Sequence, residues 1–254
     1  MLPYDLVRTY LPEQFPLSAS INYGLRVVYI RLKYLLKGFP SGMHHFRTRN
    51  LIFIHIPKNA GSSISRSLYG RGLPHTSALY YRLISPKSFA QIDSFALFRD
   101  PIERFCSAFN YLKYRSSHLA DVKFRTQHLQ DINSLSDFVA QLQIDQDLKA
   151  KVLSYPHFRT QSEFVCDLKG RVIVNQIGHL THLKQFISAI ESHIDDECAV
   201  EHLNKSAAIK KTSEADECYI RKLYAVDFVL QERILASENK ILKTRLVVSS
   251  RTQP

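Results

Sequence analysis

Leu51-Ile52-Phe53-Ile54-His55-Ile56-Pro57-Lys58-Asn59-Ala60-Gly61-Ser62-Ser63 decides how this chain folds. Its first six residues, apolar except for His55, form the uninterrupted run that a strand buried on both faces requires. Pro57 cannot extend a ladder and ends it. Lys58 comes next, then a turn containing Gly61, then two hydroxyl residues that open a helix expected over Ser62–Tyr69. A strand that feeds a short loop and a helix N-terminus is a layout that binds phosphate. The first N–H groups of a helix have no intrahelical acceptors, and the helix dipole favours an anion beside them. A lysine in the same loop adds a full positive charge. The order differs from Gly-x-x-x-x-Gly-Lys-Ser/Thr, because Lys58 precedes Gly61. Taken alone, the loop leaves two readings open: a phosphate cradle, or a plain strand–turn–helix connection.

A second segment shifts that balance. Ser94-Phe95-Ala96-Leu97-Phe98 reads as another buried strand, and Arg99-Asp100-Pro101-Ile102-Glu103-Arg104-Phe105-Cys106-Ser107 follows it. Asp100 suits an N-cap, Pro101 suits the first helical position, and Glu103 completes a capping-box-like pair. Phe105, Phe109 and Leu112 recur on one apolar face. Arg104 and Ser107 lie three apart and can point at one object. Arg99 stands at a strand's carboxyl end, where open α/β sheets bind ligands.

These residues resemble a known family. Ile54-His55-Ile56-Pro57-Lys58-Asn59-Ala60-Gly61-Ser62-Ser63 is similar to the 5′-phosphosulfate loop of PAPS-dependent carbohydrate sulfotransferases, and Arg99-Asp100-Pro101-x-x-Arg104-x-x-Ser107 is similar to their 3′-phosphate motif. The resemblance is to the group that includes heparan sulfate 2-O-sulfotransferase and smaller bacterial relatives. His157-Phe158-Arg159-Thr160-Gln161, Leu203-Asn204-Lys205-Ser206 and Tyr224-x-x-Asp227-Phe228 extend it over roughly residues 48–230. Asn59 and Ser62 stand where the family commonly has Thr, and Asp100 where it commonly has Asn. The fold implied is α/β: a P-loop-like three-layer arrangement whose central, mainly parallel sheet is flanked by helices. The strands at 51–56 and 94–98 should then lie side by side, or nearly so, and bring Lys58 and Arg99 to one crevice. A sulfotransferase domain over 48–245 would follow an N-terminal extension, 1–47, expected to be helical.

The resemblance also implies roles. Lys58 would meet the charge that grows on the departing nucleotide, and Lys58, Asn59, Ala60, Gly61, Ser62 and Ser63 would hold the 5′-phosphate. Arg99 and Ser107 would bind the 3′-phosphate that separates PAPS from ATP. Arg104 would either support them or pair with an acid such as Glu103. His75, between the two motifs, is the expected general base, with a turn-forming loop histidine as the alternative. His55, inside a strand, reads as a core histidine. His157, Arg159 and Gln161 would line the acceptor or donor site, or form an ordinary polar loop. No metal is expected. The acceptor implied is a hydroxyl, less readily an amine, of a carbohydrate or glycoconjugate. Two rivals stand beside this reading: an ATP-dependent phosphotransferase and a nonenzymatic polyanion-binding protein.

Composition agrees with an anionic partner. The 254 residues suit one α/β domain, or one domain with a small appendage. Thirty-four basic against 23 acidic residues give +11, which suits a nucleotide or an acidic glycan. The charge is spread along the chain, so no nucleic-acid-binding arm is expected. Cys106, Cys166, Cys198 and Cys218 have neither Cys-x-x-Cys nor metal-ligand spacing and read as reduced thiols. No 18-residue apolar run and no leader-like N-terminus is present, so a cytoplasmic location is expected. The basic, apolar stretch 24–37 offers a peripheral membrane contact or a helix packed on the domain. Nothing in the sequence fixes the oligomeric state.

Elsewhere the periodicity predicts a helix over 134–144 capped by Ser134 or Ser136, and a short strand over Arg171–Val174. It also predicts a helix over 178–194 through Leu180, Leu183, Phe186, Ile187, Ile190 and Ile194, and a longer helical stretch from Ser213 to Leu242.

Overall fold

The computed structural model describes residues 41–198 and 212–244. A four-stranded sheet organises them in the order β1 (Leu51–Ile54), β2 (Asp93–Phe98), β3 (Gln176–His179), β4 (Ile241–Lys243). β1 and β2 pair in parallel with Ile54 opposite Ala96, and β2 and β3 pair in parallel with Phe98 opposite His179. β4 closes the far edge antiparallel to β3. Every residue of β1 and all but Asp93 of β2 are buried. That burial explains why both read as unbroken apolar runs rather than alternating ones.

Helices flank the sheet: Ser41–Arg49 against β1, Pro86–Gln91 against β2, and Leu183–Ile194 and Ala225–Ala236 against β3. The expected α/β architecture, with a mainly parallel central sheet, is present. Helix Ser41–Arg49 runs across the expected boundary at 47/48. Its Phe46 is fully buried and meets the rings of Tyr69 and Tyr81 edge-on. A second apolar cluster joins helix Pro101–Tyr114 to helices Leu119–His128, Leu135–Ile144, Gln146–Ser154 and Glu214–Leu223. Phe105, Phe109 and Leu112 face into it, as their spacing predicts.

The free edge of β1 is closed by one side chain. The Tyr69 hydroxyl donates to the Leu51 carbonyl at 2.9 Å and accepts from the Phe53 N–H at 3.2 Å. An edge that would otherwise offer unpaired backbone groups is thereby satisfied.

Four sequence expectations are corrected. β1 ends at Ile54, two residues early, because the Ile56 N–H turns back to the Ile54 carbonyl. Arg171–Val174 is no strand; it contributes one isolated bridge, Val172 to Cys166. The third sheet strand is Gln176–His179, inside what the periodicity assigns partly to a helix, and the α-helix starts only at Leu183. Gly178 explains the disguise. A Cβ there would lie 2.4 Å from the Phe186 ring, so the strand gives up a side chain for close helix packing. The 213–242 stretch is two helices that meet at Tyr224, whose buried hydroxyl donates to the Phe158 carbonyl, and it ends in β4. The expected helix and membrane contact at 24–37, and the segment Leu203–Ser206, lie outside the described residues.

No helix among the described residues is long and apolar enough to cross a membrane. All four cysteines are free thiols.

Candidate active site

At the carboxyl ends of β1 and β2, a cleft of about 450 Å³ opens between the 55–63 loop and helix Pro101–Tyr114. Lys58, Ala60, Gly61, Ser62 and Ser63 line one wall, Arg99 and Ser107 another, and His55, His75, Tyr111 and His157 a third. The two motifs, 41 residues apart from Lys58 to Arg99, therefore face one space. They also touch: Arg99 Nη1 donates to the Lys58 carbonyl at 3.2 Å. Arg99 Nε pairs with Glu103 at 3.2 Å.

The loop's geometry differs from the expected glycine turn. The left-handed residues are Lys58 (φ 70°) and Ala60 (φ 59°), while Gly61 is already the first residue of the helix. Gly61 is required for room instead. A Cβ at this position would sit 2.0 Å from the His55 ring. That ring is buried, with its Nδ1 2.8 Å from the Leu73 carbonyl. Gly61→Ala is therefore expected to cost about 1–3 kcal/mol through overpacking. A melting scan should show a lowered Tm; an unchanged Tm would mean that the ring can move aside.

At the second motif, Asp100 caps its helix as predicted, its Oδ1 accepting from Ile102 N and Glu103 N at 2.9 and 3.0 Å. Glu103 pairs with Arg99 rather than completing the capping box.

One glutamine sets Arg99 against the loop. Gln161 Oε1 accepts from Arg99 N at 3.0 Å and from Asn59 Nδ2 at 2.6 Å, and its Nε2 donates to the Arg99 carbonyl at 2.7 Å. Asn59 Nδ2 also reaches the Leu97 carbonyl. Beneath them, Arg104 donates to the Pro57 and Arg159 carbonyls, and Asp227 accepts from Gln161 N, Ser162 N and Ser162 Oγ. Burial pulls the Arg104 pKa below its usual range and pushes Asp227 up, and each charge opposes the other's shift.

The expected site residues thus separate into two groups. Lys58, Ala60, Gly61, Ser62, Ser63, Arg99, Ser107, His75 and His157 line the cleft. The side chains of Asn59, Arg159 and Gln161 are buried behind it. Gln161 and Asn59 brace the loop, and Arg159 pairs with Glu163 at 3.0 Å and lies over the Phe164 ring. Arg159 and Gln161, expected at an acceptor or donor site, therefore do not line this cleft. Arg104 does not pair with Glu103; it reaches under the loop while Ser107 faces the cleft.

Tyr111 and Asp121 are the residues that sequence reasoning missed. Lys58 Nζ lies 4.0 Å from the centre of the Tyr111 ring, a cation–π contact. Burial, followed by the nearby Arg99 and Arg115 charges, lowers the Lys58 amine to about 8. His75 sits edge-on between two other imidazoles, 4.4 Å from His55 and 5.4 Å from His157 between ring centres. Burial, then the two neighbouring rings, draws His75 down to about 3; burial likewise brings His55 to about 4. The imidazoles are therefore neutral at pH 7, with lone pairs able to take a proton.

Among the described residues, no cluster of three His, Cys, Asp or Glu side chains is arranged to hold a metal ion. A family model described as "Sulfotransferase family" matches residues 43–231, a span that contains both loops, the sheet as far as β3 and the whole cleft. No curated protein and no solved structure matches the chain.

Proposed function

The chain belongs to the sulfotransferase family, and from that premise we propose that it transfers a sulfuryl group from PAPS to a hydroxyl, less readily an amine, of a carbohydrate or glycoconjugate acceptor. PAPS supplies the activated sulfuryl group and a nucleotide leaving group with phosphates at both its 5′ and 3′ ends. The residues present fit such a donor. Helix Gly61–Tyr69 directs its first N–H groups at the cleft, and Ser62 and Ser63 add hydroxyls for the 5′-phosphate. Arg99 and Ser107, on the adjacent wall, suit the 3′-phosphate.

Lys58 carries the electrophilic role. Its ammonium stands in the loop that would cradle the leaving phosphate, where a compact cation stabilises the charge that grows as the bond to sulfur breaks. His75 takes the acceptor proton. Its Nδ1 lies 3.4 Å from the His55 carbonyl, which favours the tautomer protonated on Nδ1 and leaves Nε2 as the acceptor. The basic cleft suits an acidic saccharide, since the Arg99 and Arg115 charges both lie close enough to lower the Lys58 amine.

The observation that carries this reading is the convergence of Lys58 and Arg99 on one cleft from two separate strand ends. Incubation with radiolabelled PAPS and a panel of neutral and acidic oligosaccharides tests it. Labelled saccharide is expected with PAPS, and none with γ-labelled ATP. Phosphate transfer from ATP would favour a phosphotransferase. PAPS binding without turnover on any acceptor would favour a nonenzymatic polyanion-binding protein.

A further inference from the structure

Asp121 belongs to no motif and is buried, with 7% of its surface exposed. It lies on helix Leu119–His128, in the cluster packed behind the histidine wall of the cleft. An ionised carboxylate in that position requires partners, and it has three. Tyr155 Oη donates to Oδ1 at 2.5 Å, Tyr111 Oη donates to Oδ2 at 2.9 Å, and His157 Nε2 stands 3.4 Å from Oδ1.

These partners lead to both chemical poles of the cleft. The Tyr111 ring carries the Lys58 ammonium on its face. The His157 ring lies edge-on to His75. With Nε2–H directed at Asp121, His157 keeps its lone pair on Nδ1. That atom is buried and has no hydrogen-bond partner among the described residues. The wall thus contains an unsatisfied acceptor beside the imidazole that faces the substrate.

Resting on the sulfotransferase reading, we propose that Asp121 is a positioning residue for proton transfer: acting through His157, it holds the histidine stack so that His75 can accept and keep the acceptor's proton. The acceptor oxygen bonds to sulfur as the bond between sulfur and the bridging phosphate oxygen breaks. That electron pair leaves with the nucleotide phosphate beside Lys58, and the acceptor's proton moves to His75 Nε2. The new imidazolium is stabilised by the Asp121 carboxylate behind His157, which favours positive charge on His75.

The electrostatics agree. Burial opposes a positive charge anywhere in the stack, and Lys58 and Arg104 oppose one on His157 as well. Asp121 acts the other way on both His75 and His157. Burial by itself would raise the Asp121 carboxyl, but the hydrogen bonds from His157, Tyr155 and Tyr111 overcome this and hold it well below the usual carboxylate range. Asp121 is thus a fixed anion across the working pH range. The groups that face the stack are His55 from the end of β1, Lys58 from the loop, Arg104 and Tyr111 from helix Pro101–Tyr114, and Tyr155.

Asp121→Asn tests this, with kcat, KM and the pH profile of kcat/KM measured on the acceptor that the wild type sulfates. The expected result is a 10²- to 10³-fold loss in kcat, with KM for PAPS within about threefold. The acid limb should move to lower pH, because an imidazole without the anion behind it protonates less readily. His157→Asn should show the same loss in kcat, and Asp121→Asn/His157→Asn should be no worse than either single variant. A purely structural role would lower Tm and the fraction of active enzyme but leave the acid limb in place, and that would overturn the proposal. Wild-type kcat in a folded Asp121→Asn protein would also overturn it. If the wild type transfers no label from PAPS, the sulfotransferase reading itself has failed, which is a different outcome.

Discussion

Lys58→Ala is expected to lower kcat for sulfuryl transfer by about 10²–10³-fold while the protein stays folded. Removing a single preorganised group that stabilises developing charge typically has an effect of this size. Lys58 is only partly buried, and the described contact of its ammonium is with the face of Tyr111, so little packing is lost with it. The left-handed backbone at Lys58 (φ 70°) places its carbonyl against Arg99, and alanine retains that carbonyl. Single-turnover measurements with saturating PAPS isolate the chemical step; an unchanged rate there would remove Lys58 from it. A pH dependence accompanies this prediction. The amine, lowered to about 8 by burial and by Arg99 and Arg115, is a cation below that pH and is neutralised as pH rises through it. Affinity of the free enzyme for PAP should therefore fall above about pH 8, and Lys58→Ala should flatten that part of the curve. A bound phosphate raises the amine again, so the fall in turnover should begin at a higher pH than the fall in affinity.

The second large effect concerns the other end of the nucleotide. Arg99→Ala should weaken PAP binding by about 10- to 100-fold, the range expected for a charge-assisted bond to phosphate. It should leave the binding of AMP, which lacks the 3′-phosphate, nearly unchanged. The wild type should therefore prefer PAP over AMP, and the variant should have lost most of that preference. Calorimetric titration of both nucleotides against both proteins gives the four constants needed. Equal losses for PAP and AMP would mean that Arg99 supports the loop through the Lys58 carbonyl and does not read the 3′-phosphate.

The strands and caps that place these two cations were legible in the sequence for a physical reason. β1 and β2 pair in parallel beneath helices, and burial on both faces, at β1 even though it is an edge strand, writes an unbroken apolar run into each. Asp100 and Pro101 announce a helix start because capping is a local interaction. β4 was hidden because it has only three residues and lies at the antiparallel edge. In β3, Gly178 and His179 replace the apolar alternation with room for Phe186 and a strand-end imidazole whose Nδ1 lies 2.7 Å from Thr181 Oγ1.

Within the site, spacing revealed the residues that face the cleft more readily than those that hold it. Gln161 was drawn into the site by its motif, but its work is to bridge Arg99 and Asn59 out of contact with solvent. Asp227, a lone carboxylate within the apolar helical stretch Ala225–Leu230, could have been suspected from that isolation. Asp121 leaves no such trace in His118-Leu119-Ala120-Asp121, because its partners Tyr111, Tyr155 and His157 are brought together only by the packing of three segments. Gly61 was noticed for the right position and the wrong cause. It is needed for contact with His55, and the left-handed turn is made by Lys58 and Ala60 instead.

The central claim is that a single nucleotide spans the space between Lys58 and Arg99, and a crystal structure with PAP bound tests it most directly. The account predicts the 5′-phosphate against Lys58 and the first turn of helix Gly61–Tyr69, with the 3′-phosphate on Arg99 and Ser107. PAP bound in another cavity, or held in this cleft with its 3′-phosphate turned away from Arg99, would contradict it.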